Sequence, residues 1–464
     1  MSPGEVPAAA MDLLLSGGLV ITQDDDRTVR LADVAVDGNR IAGLGERAAL
    51  EGEFGPPARV VDVDGRVVLP GLVNAHTHLF QAGLRGLGGG RPLADWHAAV
   101  MVPAYEAMTA EEAYLFTVVG AIENLRSGVT AVANVQAFPN DVEACTLAAR
   151  AVGETGLRAQ LGKSLYGRGA DGRLVLLDPG YLADTERVFA ELHGSHGGRV
   201  RFAVTPPRAT RAPADAIVAA HRLAAAAGSG IHTHVAETRP EADAAHEALG
   251  MSEVAWFDTI GVLDERFQAA HCVAVSEADA ALLAGRGGSA IHCPVSNMYL
   301  GSGVADLAKL EAAGLAVALG TDGPASNDNQ DMVGAMKAAA LLQRATRREA
   351  TAIPPGIALD MATRNGARAL GIEAGSIAPG RLADLVVLDL SGPHHQPLHR
   401  PISSIVHAAH PDDVETVIVD GAVVLDRRRI VGVDEREVLD RASRAADALV
   451  ARAGLDVAGT WPWA

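Results

Sequence analysis

Short apolar runs of strand length alternate with turn residues at both ends of the chain. Near the start they are LLLSGGLVI, ADVAVDGNRIAGLG and ARVVDVDGRVV; near the end they are GRLADLVVLDL and VETVIVDGAVVLDRRRIV. The Asp-Gly of VDGNR, set between apolar runs, predicts a hairpin. Two β-rich ends around a different middle predict one small composite β-sandwich, built from residues 1–68 and 372–430.

The middle, residues 69–371, alternates apolar runs with Ala-rich helical stretches. The candidate strands are VVLPGLVNAHTH, VTAVANVQ, LRAQLGKSL, VRFAVTP, SGIHTHVAE, FQAAHCVAV, SAIHCPVSN and LAVALGTDG. Helical patterns such as AEEAYLFTVVGAIENLRSG and ADAIVAAHRLAAAAG lie between them. Eight strand–helix units over this length predict an α/β fold, a distorted (β/α)8 TIM barrel. The rival, a doubly wound open sheet, lacks the Gly-x-Gly-x-x-Gly turn that it would carry after the first strand. Residues 434–453 predict an amphipathic helix, within a C-terminal segment 431–464 whose TWPWA tail is expected to pack.

Composition narrows the class. The 464 residues are 48% hydrophobic and carry a net charge of −18, with no Lys/Arg cluster. A chain of this kind buries a large core, and nucleic acid is not an expected partner. Three scattered cysteines are too few for a disulfide framework or a Cys-based zinc knuckle, which fits a reducing compartment. The N-terminal stretch has no basic region before Arg27, and no run of about 18 apolar residues occurs. The expectation is a cytoplasmic protein without a membrane partner.

Polar residues gather where the predicted strands end, which in a barrel is where active sites lie. His76 and His78 form a His-x-His pair; period-two geometry lets both reach one ion, and two unrelated turn histidines are the plainer reading. His232 and His234 repeat the spacing, followed by Glu237. His271, His292 and Asp322 close the sixth, seventh and eighth strands. Imidazoles and a carboxylate converging from several strand ends suit one first-row divalent ion, zinc above all, with Fe2+ or Mn2+ as alternatives.

PGLVNAHTH, HTHVAET, AHC, HCPVSN, GTDGPASN and GSIAPGRLADLVVLDL together resemble the amidohydrolase superfamily, in the branch of nucleoside and base deaminases and triazine hydrolases. The resemblance spans residues 12–425 and implies the composite sandwich and distorted barrel. It also implies that His76, His78, His234 and Asp322 are metal ligands and that Glu237 shuttles protons. It leaves His271 two roles, contact with water or substrate and direct ligation, and puts His232 behind the ligands. Binuclear members carry a carboxylated Lys on the fourth strand; VRFAVTPPRAT has none, which implies a single ion.

The implied chemistry is water activation at the ion, with Asp322 taking the proton and Glu237 protonating a ring nitrogen. That makes the chain a C–N hydrolase, a deaminase of cyclic amidines. Relatives acting on adenosine derivatives carry Pro-His at the fourth strand end and a ribose-binding Glu after the first strand; here the first stretch is Pro206-Pro207-Arg208, without that His, and the second position is Tyr105, with Glu106 available if the loop shifts by one. The two departures favour a small heterocycle without ribose: a free base, a pterin-like ring or an aminotriazine. The alternatives are an s-triazine chloro- or alkylamino-hydrolase, an S-adenosylhomocysteine or methylthioadenosine deaminase, and, from a different class, a silent heterocycle-binding homologue. Expected substrate contacts are Gln81, Trp96, Tyr105, Gln136, Arg208, His292 and Asn297. The resemblance further implies a homo-oligomer, dimer or larger.

Overall fold

The computed structural model describes residues 11–136, 141–168, 174–177 and 180–457. The barrel strands are Leu72–Thr77, Val129–Asn134, Arg158–Ser164, Val200–Thr205, His232–Val235, Gln268–His271, Ser289–His292 and Ala316–Leu319. The first four pair side by side as one parallel sheet and the last four as another. A parallel bridge between Val204 and Ile231 joins the fourth strand to the fifth. Across the other seam, Asp322 N donates to the His76 carbonyl at 2.9 Å. The fold is a distorted (β/α)8 barrel, and its strands are near-continuous apolar runs because helices cover their outer face.

The run VVLPGLVNAHTH, read as one strand, is two. Val67–Pro70 belongs to the terminal sheet and Leu72–Thr77 opens the barrel. Gly71 is the pivot: a Cβ there would lie 2.0 Å from Thr130 Oγ1, so only glycine lets the two sheets approach.

Strands from both chain ends form one nine-stranded sheet. The ends meet where Val67–Pro70 pairs antiparallel with Leu385–Leu388. Leu15, Val34, Val36, Leu385, Val387 and Ile418 share one apolar cluster inside it. The VDGNR hairpin is present, with Asp37 opposite Arg40. Arg158, on the third barrel strand, ties this sheet to the barrel: its Nε is 2.8 Å from Asp384 Oδ2 and its Nη2 2.7 Å from Asp420 Oδ1, all largely buried.

Helix Glu435–Ala453 starts at an Asp434 cap and lays Ala442 and Leu449 into the cluster that holds Phe80, Met101 and Tyr105. The C-terminal helix therefore buttresses the segment covering the barrel mouth. The TWPWA tail lies outside the described residues. Among the described residues, no helix is long and apolar enough to cross a membrane.

Candidate active site

The first, fifth, sixth and eighth strands deliver their polar ends to one level. Side-chain nitrogen and oxygen atoms of His76, His234, His271 and Asp322 all lie within 4.8 Å of one another. His78 joins them, its Nε2 3.2 Å from Asp322 Oδ1, while His76 Nε2 is 3.4 Å from the same oxygen. His271 thus stands as near to this group as the expected ligands do.

Neighbours orient each ring. His78 Nδ1 is 2.6 Å from the Val135 carbonyl, which can only accept, so Nδ1 carries the hydrogen and Nε2 presents its lone pair. His76 Nδ1 is 2.8 Å from His232 Nε2, and His271 Nδ1 is 2.9 Å from Asn297 Oδ1. Asp322 Oδ2 accepts from Ser296 Oγ at 2.6 Å and Ser326 Oγ at 3.0 Å; Oδ1 accepts from Gly323 N at 2.8 Å. Ala236, His271 and Asp322 have φ of 47°, 69° and 62°, a left-handed conformation that non-glycine residues hold only where surrounding contacts impose it. For Ala236 the restraint is its N–H, which donates to Glu253 Oε2 at 2.8 Å.

Burial pushes His76 down to about 4 and His292 to about 3, and holds His232 and His234 well below the usual imidazole range. Burial alone would raise the Asp322 carboxyl, but His76 and His78 overcome it and hold it well below the carboxylate range. At neutral pH His76 and His234 are therefore neutral imidazoles beside one carboxylate. His76 Nε2 and His271 Nε2 are buried with no hydrogen-bond partner among the described residues. Orphaned lone pairs beside a carboxylate fit a divalent transition ion.

Glu237 borders the group, its Oε2 3.8 Å from His271 Nε2. Arg208 Nη2 donates to Glu237 Oε2 at 2.5 Å, and Nη1 pairs with Glu241. Arg208, an expected substrate contact, is thus engaged by two carboxylates at the edge of the site. Trp96, expected to stack on a ring, lies in an apolar cluster. It is buried among Phe80, Leu84, Val100 and Met101, and its Nε1 donates to the Ala325 carbonyl at 3.1 Å. Helix Leu93–Trp96 runs on into His97–Met101, which turns the indole into the apolar cluster.

Gln81 and Tyr105 are buried together, Gln81 Nε2 3.2 Å from the Tyr105 hydroxyl, and Gln81 Oε1 has no partner among the described residues. Gly323 makes room for that amide: a Cβ would fall 1.8 Å from Gln81 Oε1. Gln136 is buried beside Asn134, both ring nitrogens of His292 are unpartnered among the described residues, and Asn297 is spent partly on His271. Burial pushes Cys272 up to about 12 and Cys293 well above the thiol range, so neither offers a thiolate.

Sequence reasoning missed the scaffold behind the site. Gln330 Nε2 donates to the Asp322 carbonyl at 2.9 Å, and Asn74 bonds Asn124 at 2.9 Å and Thr321 Oγ1 at 2.8 Å. It also missed Glu241 and His97; burial, Arg211 and Arg208 push the His97 ring down to about 4. An isolated polar residue inside an apolar run, as Asn74 is in GLVNAH, is the one signal that pointed there.

Comparison with known proteins gives the family. The amidohydrolase family profile matches residues 67–424. The chain belongs to the amidohydrolase family. This amidohydrolase is 36% identical over 444 residues to the 5-methylthioadenosine/S-adenosylhomocysteine deaminase of Pelotomaculum thermopropionicum, covering 95% of this chain and 99% of the relative. It is 36% identical over 434 residues to the 5'-deoxyadenosine deaminase of Methanothermobacter thermautotrophicus, covering 94% and 98%. A zinc-bound adenosine deaminase from Xanthomonas campestris superposes with a TM-score of 0.87 at 30% identity, covering 96% of this chain and all (100%) of that one. The zinc complex of atrazine chlorohydrolase from Arthrobacter aurescens superposes with a TM-score of 0.86 at 24% identity, covering 94% and 100%, a likeness of fold. The amidohydrolase is a hydrolase acting on C–N bonds.

Proposed function

We propose that this amidohydrolase deaminates an amino-substituted N-heteroaromatic ring without ribose, a free base, pterin-like ring or aminotriazine. A single zinc ion would be held by His76, His78, His234 and Asp322, with His271 against the water or substrate. The observation that carries the reading is Glu237, a buried carboxylate 3.8 Å from His271 Nε2 at the edge of the histidine–aspartate group. Plain amide hydrolysis does not need a second carboxylate there, whereas an aromatic amidine must be protonated on the ring before water adds.

The chemistry that a divalent ion held by this group would supply is a lowering of the pKa of water toward neutrality. Asp322, steadied by Ser296 and Ser326, accepts the proton that the water gives up. Glu237, carrying a proton, would deliver it to the ring nitrogen and so make the adjacent carbon electrophilic. Arg208 holds Glu237 in place and balances its charge. The oxygen of the deprotonated water would then bond to that carbon; the exocyclic amine would take the proton held by Asp322 and leave as ammonia as its C–N bond breaks, and the added hydroxyl would return its proton to Glu237, leaving a carbonyl on the ring.

Tyr105 supports a substrate without ribose. It stands where the adenosine-type relatives carry a ribose-binding glutamate, and its hydroxyl is taken by Gln81. The full-length likeness to nucleoside deaminases favours a second reading, an adenosine derivative. Ammonia release by the zinc-loaded protein across free purines and pyrimidines, pterins, aminotriazines and adenosine derivatives separates the two. Turnover of a base, pterin or triazine with nucleosides ignored is the expected result; turnover of nucleosides alone overturns the substrate class.

A further inference from the structure

A second cluster of imidazoles and carboxylate lies on the crossover between two strands of the terminal sheet. Strand Leu385–Leu388 leads through a loop to helix Pro401–Ala408 and back through Pro411–Asp413 to strand Val414–Val419, which pairs antiparallel with the first. His394 and His395 lie on the outgoing arm and Asp413 on the returning one. We propose that His394, His395 and Asp413 form a second divalent-metal site, of the zinc class, that clips this crossover shut.

His394 Nε2 is 3.1 Å from both Asp413 oxygens, and His395 Nε2 is 3.1 Å from Oδ2. Ligands about 2.0–2.1 Å from a tetrahedral ion stand about 3.3 Å apart, so a slight expansion seats one. The first group has the same spacing, 3.2 Å and 3.4 Å from its histidines to Asp322. Supporting contacts are in place as well. His395 Nδ1 is 2.6 Å from Ser404 Oγ, which aims Nε2 at the carboxylate, and His410 N donates to Asp413 Oδ2 at 2.7 Å. His395 and Asp413 are buried while His394 is exposed, which gives an entry path and room for a water ligand. Two imidazoles with one carboxylate select Zn2+, Co2+ or Ni2+ over Ca2+ or Mg2+.

The alternative is a metal-free cluster in which both Nε2–H groups donate to Asp413. Metal counting separates the two. The full-length protein is stripped with chelator, equilibrated with Zn2+ at fixed free concentration, and its zinc per chain is measured by plasma mass spectrometry. Two ions per wild-type chain are expected, with one in His394→Ala and one in His395→Gln. Ammonia release by His394→Ala should match wild type, because the cluster is separate from Asp322 and Glu237. The second equivalent should raise the melting temperature of wild type and leave that of His394→Ala unmoved. One ion per wild-type chain, or two in both variants, overturns the proposal. His394 is exposed, so its alanine variant keeps the fold, and its circular dichroism spectrum checks that directly.

Discussion

His76 Nδ1 stands 2.8 Å from His232 Nε2, so His232 fixes the face that the His76 ring turns toward Asp322. One of the two nitrogens must carry the hydrogen, and the other must accept it. Removing the partner frees the His76 ring to rotate and to change tautomer. His232→Ala should weaken zinc retention by roughly 10- to 100-fold while leaving one ion bound there at saturation. Zinc competition with a chromogenic chelator measures this, and unchanged affinity would remove His232 from the account.

Asp322 is both the carboxylate of the group and the proposed acceptor of the water's proton. Asp322→Asn keeps the shape but turns one of two accepting oxygens into a donor and removes the charge that His76 and His78 face. Activity should fall to background and the active-site ion should wash out in gel filtration. An active, fully loaded variant contradicts the ligand set.

Arg158 is the most exacting contact between barrel and terminal sheet, because two buried carboxylates depend on it. Arg158→Met leaves Asp384 and Asp420 facing each other uncompensated. A loss of about 3–5 kcal/mol is expected from breaking a buried pair on one side. Urea denaturation at pH 7 reads this out, and a loss below about 1 kcal/mol would show that the two units are held chiefly by apolar packing.

The metal-free protein should be acid-sensitive. His76 falls from 6.5 to about 4 on folding, and His232 and His234 are also held well below 6.5, so over that range the unfolded chain binds more protons than the folded one. Stability is then complete above pH 6.5 and is lost as pH falls toward 4, with each group adding a slope of up to about 1.4 kcal/mol per pH unit. Asp322 extends the loss in the same direction below 3.8. Melting temperatures of chelator-treated protein from pH 7.5 to 4.5 test this; a flat profile contradicts the buried neutral histidines.

The barrel was legible because parallel strands covered on both faces read as apolar runs, and their polar ends announce the site. His76, His78, His234, Glu237 and Asp322 each close or follow such a run. The break inside VVLPGLVNAHTH was not legible, since Gly71 matters through Thr130, a residue distant in sequence. For the same reason Gln330 and Asn74 were invisible: their partners, Asp322 and Thr321, come from other strands. For Trp96 and Arg208, residue type suggested contact with a ligand; their partners, the Ala325 carbonyl for one and two carboxylates for the other, were not legible in the sequence.

The central claim is that Glu237 moves the proton that makes the ring reactive. Glu237→Gln keeps the side chain's size and lies outside the proposed ligand set. Its kcat, on whichever heterocycle wild type turns over best, should be compared with zinc content measured in the same samples. The account predicts equal zinc and a rate lower by roughly 10²- to 10⁴-fold; equal zinc with an unchanged rate would contradict it.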